Sequence, residues 1–256
     1  MPSAISDNWM VQLLRISAFP IAGVPVADPH SWWETTVGSA PDSMTSKPKE
    51  GLVQSSGPVD ETSQLILSCL PDRIDWQLLP VNEVDLSPDY PVIGNFEAAL
   101  PKFVETINRW LEQSCPEIQR FAFGAVLVKQ VNDRASGYSE IAKLLPAVNI
   151  DAEGSTDFSY SINRPRASTL NIEGLIINRL SKWAVMAFKV FKLPMLSSEG
   201  VKLVTHAADK ETYLCRLELD INTTNELAKL PKERIKEIFA ELVSLAKEIA
   251  EQGDVK

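Results

Sequence analysis

Apolar positions along the chain recur in two rhythms, and the order of those rhythms predicts the class of fold. Met10 to Phe19 (MVQLLRISAF) is apolar, is bounded by Pro20, and reads as a first strand. Gln64 to Leu70 and Arg73 to Leu79 are two further β-like runs, separated by Pro71 and Asp72 as in a tight hairpin. Behind Asn95, a residue suited to capping a helix, Phe96, Leu100, Phe103, Val104, Ile107 and Leu111 recur at helical spacing. Pro101 is expected to kink the first turns of that helix or to mark its true start. Ile118 to Val131 is dense in β-branched and aromatic residues and reads as a long buried strand; a short helix around Ser139 to Leu145 follows, ended by Pro146.

The second half reads as a meander. Phe158 to Arg164, Asn171 to Leu180, Trp183 to Phe191, Gly200 to His206 and Tyr213 to Asn222 all favour strands. The last alternates Leu217, Leu219 and Ile221 inward against Arg216, Glu218, Asp220 and Asn222 outward. Pro231 and Gly253 bracket the most regular amphipathic pattern in the chain, which predicts a terminal helix over 232–251. Strands then a helix, twice over, imply an α+β fold whose antiparallel sheets are each covered by helices on one face. The expected division is an N-terminal half, 1–150, and a C-terminal half, 151–256, similar in plan although no residue-level repeat relates them.

One stretch breaks both rhythms. From Pro20 to Ser63 the prolines at 20, 25, 29, 41, 48 and 58 alternate with Gly23, Gly38, Gly51 and Gly57, which predicts a long Pro-rich loop at 20–63. Trp32 and Trp33 lie inside it. Indoles are expensive to expose, so this pair either folds back onto the body or anchors a partner, and both are candidate partner-binding residues.

Composition narrows the classes. The 256 residues are 45% hydrophobic and 23% charged, enough to bury a core without staples. Three cysteines, Cys69, Cys115 and Cys215, at spacings unlike any CxxC pair, imply neither a disulfide framework nor a thiolate metal cage. No signal-peptide pattern and no apolar run of about 18 residues is found, so the expected setting is the cytoplasm, away from membranes. No GxxxxGK[ST] loop, GxGxxG turn or GxSxG elbow occurs, and the only histidines are His30 and His206. No metal, cofactor or catalytic group is expected. The one carboxylate grouping, Glu218 and Asp220 with His206 on a neighbouring strand, lacks a third fixed ligand and reads as a solvated strand face.

Net charge is −9, which opposes a surface devoted to polyanions, but the charge is unevenly spread. Gly57 to Glu117 holds eleven acids against three bases, net −8, whereas Tyr160 to Lys192 holds six bases against Glu173 alone. Within this ribbon the tripeptide INR occurs twice, at Ile162-Asn163-Arg164 and Ile177-Asn178-Arg179, and Arg166 extends the first. Asn163, Arg164, Arg166, Asn178 and Arg179 are therefore candidate anion-binding residues, although strand alternation sends Asn163 and Arg164 to opposite faces. The plainer expectation is that the ribbon pairs with the acids of Gly57 to Glu117.

The order SINRPR, IINRLSKW, LCRLELDIN and a terminal amphipathic helix, over residues 155 to 252, resembles a sporadically distributed, uncharacterised bacterial family of about this length. The resemblance implies a bacterial intracellular protein and carries no activity. The reading that follows is a non-enzymatic binding or regulatory protein that contacts another protein, copies of itself included. The alternative is an anion- or nucleic-acid-binding protein, or an enzyme on a phosphorylated substrate, using the ribbon 160–192.

Overall fold

A computed structural model describes residues 8–21, 29–81, 90–188, 196–197, 200–201 and 211–254. In chain order the elements are β1 (Met10–Pro20), α1 (Pro29–Val37), β2 (Ser43–Lys47), β3 (Leu52–Pro58), β4 (Ser63–Leu70), β5 (Arg73–Pro80), β6 (Gly94–Asn95) and α2 (Phe96–Gln113). There follow β7 (Ile118–Val131), α3 (Arg134–Leu144), β8 (Ser159–Asn163), β9 (Arg166–Ala167), β10 (Ile176–Phe188), β11 (Leu196–Ser197), β12 (Gly200–Val201), β13 (Thr212–Thr223) and α4 (Ile235–Gln252). The fold mixes helices with an antiparallel sheet, as the alternation of periods predicts. Eleven of the strands form one sheet in the order β2-β3-β4-β5-β1-β7-β13-β10-β8, with β6 on β1 and β9 on β10.

Where several sheets were expected, this one runs unbroken across residue 150, because β7 pairs with β1 on one side and β13 on the other. Its registers define rows of side chains that share a face. Leu67, Trp76, Ile16, Phe123, Ile221 and Arg179 form one such row, and Gln77, Arg15, Gly124, Asp220, Leu180 and Asn163 form the next, on the opposite face. Aromatic side chains of three helices meet the first. Trp33 of α1 stacks on Trp76, Trp110 of α2 meets the same ring edge-on, and Phe239 of α4 packs on Phe121 and Phe123. Cys215, in register with Lys129 on that face, donates its thiol to the Gly137 carbonyl of α3 at 3.4 Å.

The stretch 20–63 is not a loop throughout: it holds α1, β2 and β3. Its prolines mislead because they occupy places that tolerate them. Pro20 and Pro58 end strands, Pro29 opens α1, and Pro48 lies in the β2–β3 turn. Asn95 caps α2 as expected, its side chain accepting from Glu97 N at 2.8 Å, but the helix starts at Phe96 and continues through Pro101. The runs predicted as separate strands, Asn171 to Leu180 and Trp183 to Phe191, are one strand over Ile176–Phe188. Gly200 to His206 lies largely outside the described residues, as does His206.

Candidate functional site

Trp32 and Trp33 do not form a surface. Both are buried, Trp32 edge-on to Trp110 and Trp33 stacked on Trp76 with ring centroids 6.0 Å apart, so four indoles build the core beneath α1 and α2. The partner-binding role expected for this pair is thereby corrected: fold-back is what the structure shows. The indole N–H groups of Trp33, Trp76 and Trp110 are buried without an acceptor among the described residues, a cost the aromatic packing offsets.

The two INR tripeptides do meet, and alternation splits them as anticipated. Asn163 Nδ2 donates to Asn178 Oδ1 at 2.9 Å, while Arg164 and Arg179 lie on the other face. There the arginines face α4. Arg164 forms a bidentate pair with Asp254, at 2.5 and 2.6 Å, and Arg166 a bidentate pair with Glu248, at 3.1 Å for each bond. Arg179, buried, lies 3.3 Å from the same Glu248. Two turns earlier in α4, Glu241 accepts from Ser168 Oγ at 2.5 Å and from Thr169 N at 2.6 Å. Arg164, Arg166 and Arg179 are thus paired internally, with Glu248 of α4 and Asp254 just beyond it rather than with the acids of Gly57 to Glu117; Lys189 and Lys192 lie outside the described residues. The Asp254 carboxylate raises the pKa of Arg164 above its usual value, whereas burial, reinforced by the charge of Arg166, lowers that of Arg179.

A different set of cations occupies the opposite face of the sheet. On strands β5, β1, β7, β13 and β10 the registers place Arg73, Arg15, Arg120, Arg216 and Lys182 there against Asp75, Glu218 and Asp220, five cations to three carboxylates. Some are paired. Ser17 Oγ donates to Asp75 at 2.5 Å, and Arg73 Nε reaches the same carboxylate at 2.9 Å. Arg216 Nε lies 3.1 Å from Glu218, with Lys182 Nζ at 3.8 Å. Arg120 has an amide instead: its Nη2 donates to Asn222 Oδ1 at 3.0 Å and its guanidinium lies over the Phe19 ring, with Arg73 also within reach of that ring. Asn222 receives Asn178 at 3.1 Å and donates to Asp220 at 3.0 Å, so amides connect Arg120 to Asn163 across four strands.

Arg15 makes no hydrogen bond or ion pair among the described residues. It is half-buried, and its Nη2 lies 3.4 Å from where a Cβ on Gly124 would stand. A cavity of about 310 Å³ lies here over the middle of the sheet, lined by Arg15, Gly124 and Asp220 and walled by Leu13, Val126 and Leu180. Sequence reasoning reached Glu218 and Asp220 here only as a solvated strand face and missed Arg15 and Gly124, because these belong to strands that pair across a separation of more than a hundred residues.

All three cysteines are buried, and burial pushes each thiol up to about 12, so the thiolate is scarce at neutral pH. Among the described residues no group of three or more His, Cys, Asp or Glu is placed to hold a metal ion, and no helix is long and apolar enough to cross a membrane. Neither a protein-family model nor a curated protein matches the chain.

Proposed function

We propose that the protein is a non-enzymatic binding or regulatory protein, working in the cytoplasm through contact with another protein, and that its contact surface is the sheet face carrying Arg15 and Arg120. In this reading the four helices all cover the other face. The chain then consists of two halves of like plan, divided between α2 and β7 rather than at residue 150, each a strand, a helix, a meander and a second helix, joined where β1 pairs with β7. The observation that carries the proposal is the distribution of cations on the sheet. Those of the helix side, Arg164, Arg166 and Arg179, are neutralised by Glu248 and Asp254, whereas Arg15 and Arg120 on the opposite side have no carboxylate within hydrogen-bonding reach among the described residues. Arginines beside half-buried Leu13, Phe19 and Leu180 have the character of interface hot spots. A partner presenting carboxylates suits this face, and a second copy of the chain supplies them through its Gly57 to Glu117 stretch.

The test is charge reversal on either side of the sheet. A double variant Arg120→Glu with Lys182→Glu alters the proposed face; Lys236→Glu with Lys247→Glu alters α4 as a control. Sedimentation over a concentration series, and capture of binding partners, should give the same complexes for the natural protein and the α4 variant and lose them in the sheet-face variant, with unchanged circular dichroism. Identical profiles for all three proteins would reject the reading.

A further inference from the structure

We propose that the cavity over Gly124 binds a zwitterionic ligand of amino-acid size, its carboxylate on Arg15, its ammonium on Asp220 and its apolar side chain against Leu13, Val126 and Leu180. Both charged residues are in register with Gly124, Arg15 from β1 and Asp220 from β13, so they stand on either side of a position that has no side chain. They are not bonded to each other. The guanidinium of Arg15 lies over Gly124, and Asp220 has the Asn222 amide as its partner. A cation and a carboxylate that line one cavity without meeting leave a gap that a molecule bearing both opposite charges completes.

The surroundings choose among ligand classes. A polyanion or a simple phosphate meets Asp220 and, at the rim, Glu218; a simple cation meets Arg15 and Lys182. Only a ligand with paired charges meets its complement on both sides. Apolar walls around a few convergent polar groups are the usual make-up of small-molecule pockets, and the volume is at the small end of their range of about 300–1,000 Å³. The place is also structurally central: Leu13 and Val126 face each other in the β1–β7 pair at the middle of the sheet, where rigid neighbours on both sides hold the walls.

The experiment is calorimetric titration of the isolated chain with L-valine, L-leucine and L-phenylalanine, alongside isocaproate and isoamylamine, which keep the leucine skeleton with one charge each. At least one of the amino acids should bind and raise the melting temperature, with both single-charge analogues at least about tenfold weaker, a difference of about 1.4 kcal/mol. Arg15→Gln and Asp220→Asn should each remove the binding. Should either fail to fold, Gly124→Val, which fills the floor, serves in its place. No binding by any of the three amino acids, isocaproate binding as tightly as leucine, or unaltered leucine affinity in the variants would overturn the proposal. The titration needs no protein partner, so its failure leaves the contact surface to be judged by the charge reversals.

Discussion

Gly253 shows how much a single residue can decide. It ends α4 with φ +80°, and a Cβ there would lie 2.0 Å from the Leu144 carbonyl oxygen, which already accepts from Asp254 N at 2.8 Å. The left-handed backbone and the close approach each demand glycine. Gly253→Ala should therefore lower stability by about 3 kcal/mol or more, since strain of this kind alone costs of order 1–3 kcal/mol, and a chemical-denaturation curve will show it as a lower midpoint. That Gly253 caps a helix was legible from its position after a regular apolar stripe. That it also lets the chain end dock against α3 was not, because Leu144 is remote in sequence and nothing local marks the contact. The same holds for the arginines: their number was plain, but Glu248 and Asp254 lie 69 to 90 residues away along the chain.

At the scale of elements, sequence reading succeeded where a period was long and unbroken. β7, α2 and α4 are found within a few residues of their expected bounds, because each presents a continuous apolar stripe to a core. It failed for α1, where Pro29, the Trp32-Trp33 pair and Gly38 resemble loop chemistry although Trp32, Trp33 and Thr36 make a buried stripe. It also divided β10, whose polar Asn178, Arg179, Ser181 and Lys182 look like an interruption until Glu248, Trp183 and neighbouring amides are seen to engage them. For α4 the packing is explicit: Ile238, Phe239, Leu242, Ala246 and Ile249 are buried, with Phe239 against Phe121 and Phe123. Large side chains of this kind each contribute about 1.5–3 kcal/mol. A chain ending at Pro231 should consequently be insoluble or molten, without near-ultraviolet dichroism; soluble, cooperatively melting protein would show that the stripe serves a partner instead.

For the whole molecule, the three cysteines impose a common response to alkali. Each thiol sits in the core with its pKa raised from about 9 to about 12, so between those values the unfolded chain loses protons that the folded one retains. Stability is fully present below pH about 9 and declines as pH rises toward about 12. Melting temperatures measured through this range should fall, and less steeply in Cys115→Ala than in the natural protein. At pH 8 a thiol reagent should leave the native protein unmodified and label all three cysteines on denaturation. The core positions of Cys69 and Cys215 follow from the apolar strand runs that hold them, whereas that of Cys115 and the candidate pocket depend on which elements the fold brings together.

That dependence reaches beyond the native state. β7 is hydrogen-bonded to β1, which the ribosome delivers a hundred residues earlier, and to β13, which arrives about ninety residues later. Until β13 emerges, one side of this long, largely buried strand is a bare template, and neither flank can be satisfied by a local turn. Contacts of such sequence separation close slowly, on the millisecond-to-second scale characteristic of β-rich topologies, so the nascent chain passes through a period in which its central ladder is open to the wrong partner.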